Sequence, residues 1–255
     1  MIRVAVLGAL GKMGDAVVRA VVEDPELELT AAVDPAGPGR GGEPSSVPVL
    51  RHISYLEGLE IDVMVDFTEA SAAVPNMLWA LDHGIHCVVG TTGISPDDLA
   101  GIGEKAASGE ANVLIASNFA IGAVMMMKLA EEAAGVFDQC EIVELHHRGK
   151  KDSPSGTAIE TARRIEAAME AAEVPATSDK LDGSSRGANQ GPVKIHSVRL
   201  DGMVAHQEVI FGARGQTLSI RHDTTDRSCF MPGVVAAIKA VQGLPGLTIG
   251  LEAAL

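Results

Sequence analysis

Residues 2–34 read as strand, glycine turn, helix, strand and acid, and that order constrains the fold more than any other stretch. Ile2–Leu7 is an apolar run broken only by Arg3, and it leads into Gly8-Ala-Leu-Gly11-Lys-Met-Gly14. An apolar-periodic helix carrying Met13, Val17, Ala20 and Val21 then runs towards Asp24-Pro25, and Leu27–Val33 is a second strand ending in Asp34. A dinucleotide site requires this arrangement. Glycines permit the tight turn and let the backbone approach a pyrophosphate whose charge meets a helix N-terminus. The acid closing the second strand accepts hydrogen bonds from ribose hydroxyls. Ala9 stands where G-x-G-x-x-G has its first glycine, and glycine turns also join strands to helices in proteins without nucleotides. The position of Asp34 favours the cofactor reading.

The alternation continues beyond a Gly-, Pro- and Ser-rich loop, Pro35–Pro48. Asp62–Phe67 is expected as a strand, Glu69–His83 as a helix stopped by Gly84 and containing Pro75, and Ile85–Val89 as another strand. That strand ends in Gly90-Thr91-Thr92-Gly93. Ser95-Pro96 opens a further helix, and Asn112–Ala116 is a strand followed by Ser117-Asn118-Phe119-Ala120. Strand ends that carry small polar loops lie along one edge of a parallel sheet, where they can line a single crevice.

The second half has a different rhythm. Gly122–Val136 reads as a helix whose Met125–Met127 run fills core, and Cys140–Leu145 reads as a buried strand. Ser153 is a candidate N-cap with Pro154 at the first helical position, and a helix covers Thr157–Ala172. Glu173–Pro192 is expected as loop. Val193–Leu200, Met203–Phe211 and Gln216–His222 read as strands joined by Asp201-Gly202 and Gly212–Gly215 turns into antiparallel hairpins. A helix over Pro232–Val241 and a strand over Leu247–Leu251 close the chain.

These patterns predict an α/β protein of two domains: a Rossmann-type doubly wound parallel sheet over residues 1–118, to which 229–255 return, and an α+β domain over 119–228. The second domain carries a mixed or antiparallel open sheet. It is expected to bind substrate and, because an open sheet face needs covering, to form a homo-oligomer.

Charge singles out one loop. The chain has a formal net charge of -14, yet His146, His147, Arg148, Lys150 and Lys151 fall within six residues of Glu144–Ala158. A positive loop on an acidic protein suits a small anion. The overall acidity and 3% aromatic content argue against a nucleic-acid partner. Cys87, Cys140 and Cys229 are widely spaced and read as reduced thiols. The N-terminus lacks a basic leader and no apolar run reaches membrane-spanning length, so a cytoplasmic protein with no membrane partner is expected. Trp79 reads as core or interface, His83 as a helix-end cap and His86 as a satisfied strand histidine; His52 carries no signal.

Histidine is the usual proton donor at neutral pH, cations bind carboxylates, and a helix start binds a carboxylate through its N–H groups. His146, His147, Lys150 and the Gly156-Thr157 helix start offer all three functions. Arg148 and Lys151 read as solvated surface. A metal held by His146, His147 and Asp152 is disfavoured because no further ligand motif accompanies them, and no metal is expected.

The stretch E-L-H-H-R-G-K-K-D-S-P-S-G-T-A closely resembles the signature of the 4-hydroxy-tetrahydrodipicolinate reductase (dihydrodipicolinate reductase) family of lysine biosynthesis. G-A-L-G-K-M-G, G-T-T-G, S-N-F-A-I-G and V-A-H-Q-E-V-I-F-G are similar to the same family in the same order, so the resemblance spans essentially the whole chain. It implies a homotetramer reducing a cyclic dicarboxylate with NADH or NADPH in the diaminopimelate pathway. By position, it implies His146 as proton donor and acceptor, Lys150 as a second proton donor, and His147, Gly156 and Thr157 as holders of a substrate carboxylate. It further implies dinucleotide contacts from Gly8, Ala9, Leu10, Gly11, Lys12, Met13, Asp34, Gly90, Thr91, Thr92, Ala116, Ser117, Asn118 and Phe119.

Some relatives carry Arg directly after the ribose-binding acid, where it can hold a 2′-phosphate; here Pro35 follows Asp34. The expectation is an NADH preference with residual NADPH use, aided by Lys12 and Arg40. The rival readings are another two-domain dehydrogenase, which leaves H-H-x-x-K…S-G-T unexplained, and a dinucleotide sensor, which has no use for a proton donor.

Overall fold

The computed structural model describes residues 1–37, 47–174 and 186–255. It divides the chain into two units, Met1–Ile121 with Arg227–Leu255 and Gly122–Asp226. The elements run β1 (Ile2–Leu7), α1 (Lys12–Glu23), β2 (Leu27–Val33), β3 (Val49–Leu50), β4 (Val63–Asp66), α2 (Ala70–Asp82), β5 (His86–Val89), α3 (Pro96–Ser108) and β6 (Val113–Ile115). They continue with α4 (Ile121–Ala134), β7 (Gln139–His146), α5 (Gly156–Ala171), β8 (Ala188–Gln190), β9 (Val193–Arg199), β10 (Ala205–Ala213) and β11 (Gln216–Thr224). The chain ends with α6 (Met231–Ala240) and β12 (Leu247–Ile249).

In the first unit, period-two alternation buries both faces of a sheet. Ala5, Leu7, Met64, Cys87, Val89, Val113 and Ile115 pack with Ala73, Met77, Ala80, Ile102 and Ala106 of α2 and α3. The alternate residues Val4, Val6, Val65, Val88 and Leu114 are equally buried, and α1 and α6, which pack together, supply Val17, Val21, Val234, Ala237 and Ile238. The seven strands lie in the order β12-β6-β5-β4-β1-β2-β3, all parallel. Strand order reverses between β1 and β4, the switch point at which open α/β sheets receive ligands. Helix α2 runs through Pro75 without interruption. Ser95 caps α3, its hydroxyl accepting from Asp98 N–H at 3.1 Å.

The second unit holds a five-stranded sheet, β11-β10-β7-β9-β8. Its buried face is set by register. Cys140, Ile142 and Glu144 of β7 lie beside Phe211, Val209 and Gln207 of β10, and Ile142 lies beside Ile195 of β9. Helix α5 packs on β7, β8 and β9 with Ala158, Ala162, Ile165 and Met169 buried.

Two expectations fail here. β9 and β10 form no hairpin, because β7 sits between them, parallel to β9 and antiparallel to β10. The turn at Asp201-Gly202 therefore begins a crossing over β7, whereas β10 and β11 do form the expected hairpin. The stretch expected as loop contains β8, which pairs antiparallel with β9 through Asn189 and Lys194. Its Asn and Gln residues give no apolar alternation, so only the neighbouring strand edge makes it a strand. Among the described residues no helix is long and apolar enough to cross a membrane.

Candidate active site

The turn after β1 is a close-packed cradle. Gly8 sits at φ +74° and donates to Val33 O at 2.9 Å; Ala9 N–H donates to the same carbonyl at 3.2 Å. A Cβ on Gly14 would collide with the Gly8 carbonyl oxygen and with the Ala9 backbone, so α1 approaches β1 this closely only with glycine there. The N–H of Leu10 donates to Asp34 Oδ2 at 3.1 Å, while Asp34 Oδ1 accepts from Ala36 N–H at 3.0 Å. Each carboxylate oxygen keeps acceptor capacity for a ligand hydroxyl. Lys12 and Gly11 are exposed at the helix start, with Met13 half-buried beside them.

Phe67 draws the other strand-end loops to this turn. A Cβ on Gly8 would meet Phe67 O at 3.0 Å, and one on Gly90 would enter the Phe67 ring. Phe119 packs on that ring with centroids 5.5 Å apart. Beneath them the buried Asp66 accepts from Thr68 N–H at 2.8 Å, Asn76 Nδ2 at 2.8 Å and Thr91 Oγ1 at 3.4 Å. Ala116 N–H donates to Val89 O at 3.0 Å, and Asn118 Oδ1 accepts from Ala120 N–H at 2.9 Å. Thr92 and Ser117 are exposed. The structure thus gathers Gly8, Gly90 and Phe119 around one phenylalanine.

A cavity of about 420 Å³ opens beside Gly8, lined by Val33, Pro35, Arg51, His52, Asn76 and Trp79 among others. Trp79 stacks on His83 at 4.0 Å, and His83 Nδ1 meets Trp79 O at 2.7 Å. Arg51 lies against Gly37 and reaches Pro35 O at 3.4 Å. Trp79, His52 and Arg51 carried no site signal in the sequence, because nothing local says that they face Gly8. Arg40 lies outside the described residues. His86 Nδ1 accepts from Asn112 N–H at 3.0 Å, a satisfied strand histidine.

In the second unit the alternation along β7 turns Glu144 and His146 to the same face, and register sets Arg199 of β9 opposite His146. Glu144 is fully buried. Its Oε2 meets His146 Nδ1 at 2.5 Å and accepts from Arg199 Nη1 at 2.9 Å. Its Oε1 accepts from Arg199 Nη2 at 2.8 Å and from Ser155 N–H at 3.2 Å. Burial pushes the Glu144 carboxyl up, but hydrogen bonds from His146, Arg199 and Ser197 outweigh it and bring it to about 2. Arg199 Nη2 also donates to Asp152 O at 2.7 Å, while its buried Nε has no partner among the described residues.

The helix start differs from expectation. Ser155, rather than Ser153, caps α5, with its hydroxyl accepting from Ala158 N–H at 3.2 Å, and Pro154 lies outside the helix. Two serines in S-P-S offered the same cap chemistry; the bond from Ser155 N–H to Glu144 selects the second. Of the four leading N–H groups, those of Ser155 and Ala158 are satisfied. Those of Gly156, which is exposed, and Thr157, half-buried, have no acceptor among the described residues. Between strand and helix, Lys150 Nζ lies 2.9 Å from Asp152 Oδ2, which holds that carboxyl below its usual range. His147 is exposed beside Gly149, and Arg148 faces Asp201 at 3.7 Å on the surface. Among the described residues no cluster of His, Cys, Asp or Glu is suited to a metal ion. His146 therefore stands beside two free helix N–H groups and a cluster of cations, a set able to hold a carboxylate and supply a proton.

Family models match both halves: dihydrodipicolinate reductase, N-terminus, over residues 2–119, and dihydrodipicolinate reductase, C-terminus, over residues 122–255. A 4-hydroxy-tetrahydrodipicolinate reductase from Cutibacterium acnes is 48% identical over 261 residues, covering 100% of this chain and 99% of that protein. One from Synechocystis is 44% identical over 267 residues, covering 99% and 97%. The solved structure of dipicolinate-bound dihydrodipicolinate reductase from Paenisporosarcina sp. TG-14 is 37% identical, with a TM-score of 0.88 and full coverage of both chains.

Proposed function

The chain belongs to the dihydrodipicolinate reductase family, an NAD(P)H-dependent oxidoreductase family, and from that premise we propose how its own residues carry out the reaction. The substrate is the cyclic dicarboxylate 4-hydroxy-tetrahydrodipicolinate and the product tetrahydrodipicolinate, in the diaminopimelate route to lysine. The observation that carries this reading is the Glu144–His146–Arg199 group beside the two unsatisfied N–H groups of Gly156 and Thr157. The dipicolinate in the Paenisporosarcina relative, itself a planar dicarboxylate, supports the same substrate class.

Gly156 and Thr157 N–H, with His147, hold one substrate carboxylate at the start of α5. His146 gives a proton to the reduced ring, and Lys150 assists by leaving Asp152 for the substrate when it binds. When bound, the dinucleotide would supply a hydride, two electrons with one hydrogen nucleus; that hydride and the proton, with the 4-hydroxyl group leaving as water, balance the conversion of substrate to product.

The Gly8–Gly14 cradle, closed to any Cβ at Gly14 and tied to Asp34 through Leu10, fits a pyrophosphate and a ribose. Gly8, Ala9, Leu10, Gly11, Lys12 and Met13 line the pyrophosphate, Asp34 takes the ribose hydroxyls, and Gly90, Thr91, Thr92, Ala116, Ser117, Asn118 and Phe119 border the nicotinamide half. The cavity beside Trp79 and Arg51 suits the adenosine. With Pro35 after Asp34, NADH is the preferred donor and NADPH a weaker one. The enzyme works in the cytoplasm as a homotetramer joined through its five-stranded sheet, whose edge strand β11 is largely exposed. Light scattering that gives a dilution-stable monomer counts against that assembly.

One assay tests the function. Coupled to the synthase that makes the substrate, the purified chain is expected to oxidise NADH only when substrate is present. Substrate-independent oxidation, or none, overturns the reading.

A further inference from the structure

We propose that Glu144 is a positioning residue for the reduction, keeping a proton on His146 Nδ1 so that Nε2 is the nitrogen that takes up and delivers the transferable proton, while the same carboxylate fixes the first turn of α5. The inference rests on the reading of His146 as proton donor.

The carboxylate is saturated from both sides. Oε2 faces His146 Nδ1 and Arg199 Nη1, Oε1 faces Arg199 Nη2 and Ser155 N–H, and the Ser197 side chain is a further donor to the carboxylate. An ionised carboxylate only accepts, so a neutral imidazole beside it must present Nδ1–H. Its other nitrogen is then the one free to exchange a proton with a ligand. Glu144 stays ionised because the Arg199 fork compensates its burial, and the fork cannot slip without also losing Asp152 O. Ser155 N–H, held by the same group, sets where the free N–H groups of Gly156 and Thr157 point. One buried anion thus fixes both the proton donor on β7 and the carboxylate-binding start of α5.

Glutamine at this position is diagnostic. Its single carbonyl oxygen is claimed on the Oε1 side by Arg199 and Ser155, neither of which can become an acceptor. The alternative orientation would set the NH₂ against two such donors, so it takes the Oε2 side, where it faces one, Arg199 Nη1, and His146, whose Nδ1 can accept only by moving its proton to Nε2. The result is the wrong tautomer and the loss of one prong of the Arg199 fork; the tautomer change by itself costs the serine-protease triad about 10⁴-fold in turnover.

The experiment combines ¹⁵N-histidine NMR with kinetics on the full-length wild type and Glu144→Gln. In wild type above the imidazole titration, His146 is expected to show the Nδ1–H pattern, and in Glu144→Gln the Nε2–H pattern. The variant's kcat is expected to fall by about 10²–10⁴-fold, with a raised substrate KM and an unchanged NADH dissociation constant. Wild-type His146 in the Nε2–H form overturns the proposal without any variant, so misfolding of Glu144→Gln leaves the proposal testable. Glu144→Gln turnover within about threefold of wild type overturns it as well. A wild type with the Nδ1–H signature but no substrate-dependent NADH oxidation instead overturns the proposed function, and leaves the tautomer assignment standing.

Discussion

Leu10 N–H donates to Asp34 Oδ2 across 3.1 Å, tying the glycine turn after β1 to the acid that ends β2. The two halves of the proposed dinucleotide cradle are therefore one hydrogen-bonded unit. Replacing Asp34 with Ala removes the tie and the proposed ribose acceptors together. Bonds to a charged group are each worth about 1.5–3 kcal/mol, so the NADH KM is expected to rise by roughly 10–100-fold while kcat changes far less. An unchanged KM places the ribose elsewhere.

Arg51 lies against Gly37 and reaches Pro35 O at 3.4 Å, at the turn that follows Asp34. Wild-type kcat/KM is expected to favour NADH, and Arg51→Ala to widen the gap by lowering NADPH use alone, because only NADPH offers a 2′-phosphate to a guanidinium. A variant that weakens both cofactors equally assigns Arg51 to the adenosine pocket wall instead.

A Cβ on Gly14 would overlap the Gly8 carbonyl oxygen and fall 2.9 Å from the Ala9 Cα. Gly14→Ala must push α1 away from the Gly8 turn, and such overpacking typically costs about 1–3 kcal/mol. Urea denaturation is expected to show that loss together with weakened NADH binding. Wild-type stability in the variant refutes the close approach.

His146→Gln and Lys150→Ala are expected to lower kcat by about 10²–10⁴-fold, the usual loss for a general acid, with NADH affinity retained. For Lys150, which the structure pairs with Asp152 at 2.9 Å, the substrate must compete for the ammonium. Near-normal turnover in Lys150→Ala leaves the proton with His146 alone.

Glu144 titrates at about 2 in the fold against an ordinary 4.5. A depressed carboxyl contributes its stability above the ordinary value and loses it as pH falls towards the folded one. The groups facing it are His146 and Arg199, with Asp152 and Lys150 next to them. The difference in thermal midpoint between wild type and Glu144→Gln is therefore expected to shrink from about pH 5 to about pH 3, and a constant difference counts against the burial of an ionised carboxylate.

Several features were legible because their signals are local. β1, β2 and β11's hairpin partner follow from apolar alternation and turn chemistry, and the glycine turn with Asp34 follows from spacing alone. H-H-x-x-K…S-G-T carried the family and its substrate class. Other features had no local trace. Arg199 lies 55 residues from Glu144 in the chain and stands beside it because β9 pairs with β7. Trp79 and Arg51 meet at one cavity because α2 and the chain after β3 both border the ends of β1 and β2.

The sequence by itself determined which residues are chemically able to donate a proton, bind a carboxylate or cradle a phosphate, since those capacities belong to side chains and to short-range backbone geometry. Tertiary structure alone decided which of two serines caps α5, which strand lies between β9 and β10, and which cation keeps Glu144 charged. Each of those choices depends on strand pairing across many residues, where the energy comes from burial and register and leaves no periodicity at the positions it brings together.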